Sequence, residues 1–431
     1  MIWQTGSVFG VALLATVAGA CGDEAEVVAV APHPLCARAG LCLGVPTELQ
    51  IGAATVVAPS PALPDEVVSQ LAHNNLDVAW HDAGDGGRLF LAFRTGPNHF
   101  ASSEVVMYVV SSADLATWRF EGSFDLETDL REPQLLSLGG KLYFYFVELG
   151  TNEIEFEPKG VHVAEWLGPG RFSEVRDIFT PGFLVWRIKT MERPGETFGD
   201  WAYAFGYDGG ENIYDNDGEP VEVRWLRSRD GLAWGPVAAD SDEGIVLSGG
   251  VSETDAVFLA DGSMVAVARN EAGGPDGFGS KICRAEAGAL GTWTCVNDKR
   301  KYDSPMVFKQ VHDGKEEVWL IGRRNVTETG FYDLDQDYLP LKDQFLNYQF
   351  DYWTHPKRCA LWKVDPAALA VTWVADLPSA GDTCFPEAIR MTSNHLLVFN
   401  YSSPTDLAVD PNWVDGQLGP THVYWTEIAL P

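Results

Sequence analysis

One pattern, repeated six times, restricts this 431-residue chain more than any other feature. From about residue 76 onward, short runs of Val, Tyr, Phe, Trp and Ile are broken by Gly, Asp and Asn. That is the pattern of strands joined by tight turns, and helical periodicity is hard to find beside it. The repeating unit is a strand, a turn containing Gly or Asp, a very apolar strand, a loop and two further strands. Copies begin near "DVAWHDAGDGGRLFLAFR" (77), "LREPQLLSLGGKLYFYFVE" (130), "FLVWRIKTMERPGETFGDWAYAFGY" (183), "SETDAVFLADGSMVAVARNE" (252), "SPMVFKQVHDGKEEVWLIGRR" (304) and "FPEAIRMTSNHLLVFNY" (385). Their starts are 52 to 81 residues apart, and 47 residues run from the last start to Pro431.

A four-stranded blade with its loops needs about this much chain, so the repeat predicts an all-β fold, a six-bladed β-propeller of antiparallel blades. Radial sheets leave few open edges when the N-terminal strand pairs within the last blade, and "ELQIGAATVVA" at 48–58 is suited to that role. The expected organisation is a signal peptide over 1–20, a tether over 21–47 and a single propeller domain over 48–431.

The opening "MIWQTGSVFGVALLATVAGA" has an apolar run of signal-peptide length, while no later stretch is long enough to span a bilayer. "AGAC" at 18–21 resembles a bacterial lipoprotein cleavage box, which implies that Cys21 becomes the acylated first residue. Export is the expectation, either as a cell-envelope lipoprotein or, since no Lys or Arg precedes the apolar run, through a plain secretory signal. Six cysteines remain after Cys21, and an even number in an exported chain favours disulfides. Proximity suggests Cys36–Cys42, Cys283–Cys295 across one hairpin and Cys359–Cys384 between neighbouring units.

With Lys+Arg at 30 against Asp+Glu at 61, the formal charge is −31, so nucleic acid and anionic membrane surfaces are poor partners. Membrane contact is expected only through the lipid anchor, and a monomer is expected. No CxxC or HExxH spacing marks a metal site. No cofactor is expected; the acidic loops at 207–219 and 332–338 are the only calcium candidates, without the spacing of an EF-hand.

In a propeller the first strand of each blade starts, and the second ends, at one mouth of the central channel. Arg131, Glu132 and Glu148, which bracket an otherwise apolar hairpin, therefore face a common funnel. The same rule gathers Trp80, His81, Asp82, Arg94, His99, Arg187, Glu192, Tyr207, Asp208, Glu253, Asp255, Arg269, Glu271, Asp303, Arg323, Arg324, Glu387 and Tyr401. Five of the six units place Arg there in a chain with twice as many acids as bases. Arginine forks bind carboxylates or sugar hydroxyls and also fix neighbouring acids. The aromatic insertion at 325–359 in the fifth unit is expected to form one wall.

Over roughly 76–431 the chain resembles the sialidase-like propellers. "SSADLATW" (Ser111–Trp118) and "SRDGLAW" (Ser228–Trp234) are similar to the Asp-box turns of that group, one residue short. "SETDAVFLADGSMVAVAR" looks like the sialidase segment in which a Glu opens one strand and a carboxylate-binding Arg closes the next, which implies those roles for Glu253 and Arg269. Arg323 or Arg324 in "LIGRR", with Arg94 or Arg131, would complete an arginine triad. The nucleophilic tyrosine of sialidases starts the last blade, where this chain has Phe385; Tyr401 stands elsewhere, at the end of the second strand. A second resemblance, to five-bladed arabinanase and invertase-type glycosidases, rests on "REP" at 131–133.

The expected function is glycoside hydrolysis at the propeller mouth. Its carboxylates would be drawn from Glu253, Glu132, Asp255 and Glu387, with Tyr401 a further catalytic candidate. Arg94, His99, Arg131, Arg187, Tyr207, Arg269, Arg323 and Arg324 would hold a carbohydrate, a carboxylated one in particular. Trp80, Trp186 and Tyr207 would stack on it. The alternative is a surface propeller that binds glycan or protein without cleaving it.

Overall fold

A computed structural model describes residues 32–42, 44–152, 157–208 and 220–431. Six antiparallel blades follow one another around an axis, each beginning at its innermost strand. Blade one is Ala72–His81, Arg88–Gly96, Val106–Ser112 and Trp118–Phe124. Blade two is Leu130–Leu138, Lys141–Leu149 and Pro158–Gly168, with Arg171–Phe172 and Arg176–Ile178 at its rim. Blade three is Phe183–Thr190, Ala202–Asp208 and Val221–Ser228, flanked by Gly235–Pro236. Its outer edge is the first part of Ile245–Phe258, which then turns inward to become the inner strand of blade four. Met264–Gly273, Gly279–Ala285 and Thr294–Asp298 complete blade four. Blade five is Met306–His312, Lys315–Asn325, Lys357–Asp365 and Ala370–Asp376.

Blade six closes the ring. Its own strands are Glu387–Thr392, His395–Ser402 and His422–Ala429, and the outer positions are filled by Gln50–Ile51 and Thr55–Ala58. Gln50 pairs with Ala429 and Thr55 with Trp425, as the segment 48–58 was expected to do. All three expected disulfides are present. The signal sequence and Cys21 lie outside the described residues, as does the acidic loop over 209–219.

Apolar side chains fill the wedges between blades. Phe124, Phe144 and Phe146 pack between blades one and two, and Phe205, Trp225 and Phe258 between three and four. Nearer the axis, inner strands of successive blades are joined by side chains. Asp77 accepts from the Leu135 amide, Gln134 Oε1 from the Ile188 amide (2.7 Å) and Asp255 Oδ2 from the Val307 amide (2.7 Å). Each acceptor satisfies a buried N–H whose orphaning would cost about 1–3 kcal/mol.

The two Asp-containing turns close through their aspartates. Asp114 Oδ1 accepts from the amides of Ala116 (3.0 Å) and Thr117 (2.8 Å), and Asp230 Oδ1 from Leu232 (2.9 Å) and Ala233 (2.8 Å). The residue after each Asp must be left-handed: Gly231 has φ 74° and Leu115 has φ 64°.

Helix α1 (Pro34–Ala39), capped by His33 and tied by Cys36–Cys42, packs on blade one at the end of the inner strand. His33 meets Trp80 edge-on at 4.5 Å, and Arg38 donates to the carbonyls of Gly86 and Gly87. The described part of the 21–47 segment is therefore seated on the ring, with Leu35 and Cys36 fully buried. Helix α2 (Leu341–Trp353) rises from the insertion in blade five, and α3 (Trp413–Leu418) from the loop before the last strand. No helix among the described residues is long and apolar enough to cross a membrane.

Candidate active site in the axial cavity

At one end of the axis the inner strands are irregular. The register between first and second strands slips around Asn75 in blade one, between Arg131 and Gln134 in blade two, at Trp186 in blade three and between Val251 and Thr254 in blade four. Asn75 (φ 38°), Glu132 (φ 49°), Ser304 (φ 53°) and Cys384 (φ 83°) are all left-handed there. A bulge re-aims the side chain it carries. Each blade contributes at least one residue near the start of its inner strand, Asn75, Glu132, Trp186, Glu253, Ser304 or Phe385, to an axial cavity of about 170 Å³. His99, Arg131, Tyr207, Arg269, Glu271, Arg323, Tyr401, Trp413 and Gln417 complete its walls.

The two glutamates of this ring are buried and differently held. Glu253 Oε1 pairs with Arg269 at 2.8 Å while Oε2 accepts from the Ser304 amide at 2.6 Å. Among the described residues, Glu132 Oε2 accepts from the Asn75 side-chain amide, at 3.5 Å. Burial first, and then the charge of Glu253, push Glu132 up to about 8, against the smaller pull of Arg131 and Arg269. Burial also raises Glu253, but its arginine and amide stabilise the anion, so the proton of this facing pair resides on Glu132.

Around them lies an ion-pair lattice. Arg269 also meets Glu271 at 3.1 Å, and Arg323 pairs with Asp303 at 3.1 Å. Asp303 additionally accepts from Tyr352 at 2.6 Å; despite its burial, Lys301, Arg323 and Arg269 hold it below the usual carboxylate range. On the opposite wall Asp382 collects His99 Nδ1 (2.6 Å), Tyr401 Oη (3.0 Å) and Trp413 Nε1 (3.1 Å). Burial lowers His99 more than Asp382 raises it, so the neutral ring donates from Nδ1 and keeps Nε2 as an acceptor. Arg131 pairs with Asp129 at 2.5 Å and donates to the His99 carbonyl at 2.8 Å, fixing that loop.

Of the residues assigned to the site from sequence, the cavity brings together Glu132, Glu253, Tyr401, His99, Arg131, Trp186, Tyr207, Arg269, Glu271 and Arg323. Asp255, Arg187 and Glu387 do not line it. They sit one pleat deeper, where Arg187 pairs with Glu387 and donates to the Pro305 carbonyl, and Asp255 pairs with Lys189 at 2.6 Å. Arg94 is fully buried behind the wall on Asp129 at 2.8 Å, and Arg324 binds Asp376 at 2.6 Å on the blade's outer side. Trp80, His81 and Asp82 lie at the other end of the blade, because its inner strand starts at Ala72 rather than at 77; Trp80 packs under α1 instead of facing a sugar. Glu148 pairs with His162 at 2.8 Å, away from the cavity. The blade-five insertion does not itself form a wall: Tyr352 on α2 backs Asp303 and lies 3.8 Å from Lys301 Nζ. In the acidic loop at 332–338, Asp333 is engaged by the Phe278 amide at 3.0 Å, and among the described residues no group of three His, Cys, Asp or Glu is placed to hold a metal.

Sequence reasoning missed Asp129, Lys301, Asp382, Trp413 and Gln417. The first three share a signal: each stands three residues before the residue that its blade turns into the cavity, Glu132, Ser304 or Phe385. Trp413 and Gln417 arrive on α3, from a loop with no repeat counterpart.

No protein-family model matches the chain, and no curated protein matches it in sequence. Solved structures do match in fold. A protein of unknown function from Dyadobacter fermentans aligns with a TM-score of 0.53 at 12% identity, covering 89% of this chain and 100% of its own. Trypanosoma rangeli sialidase with the inhibitor DANA also gives 0.53 at 12% identity, over 89% of this chain and 60% of the sialidase. The same sialidase with sialic acid gives 0.50 at 11%, over 90% and 59%. The chain thus spans about 60% of the length of these sialidases and shares their β-propeller fold.

Proposed function

We propose that the chain hydrolyses a glycosidic bond in the axial cavity, with Glu132 as proton donor to the leaving oxygen and Glu253 as the ionised partner. The observation that carries this is the unequal glutamate pair: one acid kept protonated by burial and a neighbouring charge, the other anchored by Arg269 and a backbone amide. Two carboxyls whose surroundings push their proton affinities apart are what acid-assisted glycoside cleavage requires. Trp186, Tyr207, Phe385 and Trp413 offer the apolar faces on which a sugar ring stacks. At about 170 Å³ the cavity falls below the 300–1,000 Å³ typical of drug-sized sites, which favours a single terminal sugar over an internal stretch of polymer. The fold shared with a sialidase supports a glycosidase over other enzyme classes.

The opening signal-like segment supports export, with lipidation at Cys21. Trp80, against which the N-terminal segment packs, is five residues along the inner strand from Asn75, roughly 17 Å at strand rise.

The test is hydrolysis across a panel of aryl glycosides with Glu132→Gln and Glu253→Gln. Glu132→Gln is expected to lose about 10²–10⁴ in kcat/KM on substrates with poor leaving groups, and far less where the aryl group leaves without protonation. Glu253→Gln is expected to lose activity on both. Equal losses for all leaving groups would remove Glu132 as the acid; no hydrolysis by the unaltered protein would leave the cavity as a binding site.

A further inference from the structure

The cavity is crowded with arginine, which at first suggests a site for an anionic sugar like the sialic acid carried by the trypanosomal sialidase. The pairing of those arginines points the other way. We infer that the sugar bound here is uncharged, because every arginine that reaches the cavity is already matched by a resident carboxylate. This rests on reading the cavity as a sugar site.

Three arginines line the cavity. Arg131 is held by Asp129 at 2.5 Å. Arg269 lies between Glu253 at 2.8 Å and Glu271 at 3.1 Å. Arg323 is held by Asp303 at 3.1 Å and donates to the Thr383 and Cys384 carbonyls. Two more cations stand behind the walls: Arg94 shares Asp129, and Lys301 lies 3.4 Å from Glu271 and 3.7 Å from Asp303.

Against these five cations stand five acids, Asp129, Glu253, Glu271, Asp303 and Asp382. Glu132 keeps its proton and His99 stays neutral, while burial pushes Lys357, behind Tyr352, down to about 6. Among the described residues, no positive surplus remains for a ligand carboxylate. Such a ligand would have to displace a resident acid or lie beside several, and two like charges cannot share one buried site without penalty. The second observation is independent of the cavity: a chain carrying −31 repels anionic glycans at long range. Sugar hydroxyls, by contrast, accept from paired arginines and donate to paired carboxylates without changing the charge balance.

Trp186 and Trp413 line the cavity, so their fluorescence reports occupancy without turnover. Titrations of the full chain with glucose, glucuronate and free sialic acid are compared with those of Glu271→Gln, which releases part of the hold on Arg269 and Lys301. The unaltered protein is expected to bind glucuronate and sialic acid more weakly than glucose, or not at all. Glu271→Gln is expected to bind the two acids at least about 10-fold more tightly than the unaltered protein, a difference of about 1.4 kcal/mol. Tighter binding of either acid by the unaltered protein overturns the inference, and so does a folded Glu271→Gln that gains no affinity for them. Asp129→Asn serves the same purpose should Glu271→Gln fail to fold. Failure of the aryl glycoside panel removes the hydrolase reading but leaves this charge preference measurable.

Discussion

Glu132 combines three costs in one residue: a left-handed backbone at φ 49°, a buried carboxyl and a neighbouring like charge. Left-handed non-glycine residues cost about 1–3 kcal/mol and persist where the surrounding structure holds them. Here the gain is positional, since the bulge turns the carboxyl onto the axis. The titration has a consequence for stability. An ordinary glutamate in the unfolded chain loses its proton near 4.5, whereas the folded chain keeps it to about 8. Between those values the folded state binds more protons, so this group's contribution makes stability fall as pH rises through that window. At 1.36 kcal/mol per unit, the upper bound is about 5 kcal/mol, reached above pH 8. Glu132→Gln removes the titration and keeps an acceptor for Asn75. The melting temperature of the unaltered protein is therefore expected to decline more steeply from pH 5 to pH 8 than that of Glu132→Gln. Parallel curves would show that Glu132 titrates normally.

At the scale of the element, the inner strands do two jobs on successive pleats. The bulge residue faces the cavity, and the residue two positions later binds a neighbouring inner strand: Asn75 then Asp77, Glu132 then Gln134, Glu253 then Asp255. Asp255 therefore holds the Val307 amide and the Lys189 ammonium while touching no substrate. Asp255→Ala is expected to destabilise the fold by about 3–5 kcal/mol, the usual loss when a buried ion pair is broken, measured by denaturant unfolding. Asp255→Asn keeps an oxygen for the amide and should lose less. This two-step alternation explains what was legible beforehand. The hairpins, their number and the convergence of strand ends follow from alternating apolar residues and turn glycines, which the sequence carries openly. The bulges do not, because one inserted residue changes no composition. Without them Asp255 and Glu387 share a parity with Glu253 and Phe385, and each looks equally able to face the axis. The same blindness placed Trp80 at the wrong end: the true start of that strand, "AHNNLDVAW", opens with buried polar residues that read as loop.

For the whole molecule, the cavity exists only while six blades stay closed, since each supplies at least one side chain to it. Closure depends on few residues. Gln50–Ile51 and Thr55–Ala58 pair with His422–Ala429, and of these Val57 and Ala58 are buried in the main core. Burial of an aliphatic side chain contributes about 1.5–3 kcal/mol, and replacing it by a charge adds the penalty of an unpaired buried ion. Val57→Asp is therefore expected to detach the closing strand rather than to perturb it locally. The edge of His422–Ala429 would then stand open, and an unpaired edge invites pairing with a second chain. Blade six would loosen at Phe385 and Tyr401, which pack against Trp186 of blade three and His99 of blade one. Three changes should appear together: a melting temperature lower by roughly 5 °C or more, dimers or larger species in light scattering, and loss of sugar-induced fluorescence change. A Val57→Asp protein that stays monomeric and retains that fluorescence response would mean that the ring holds without its N-terminal strand, and that the inter-blade acceptors Asp77, Gln134 and Asp255 suffice to keep the axis assembled.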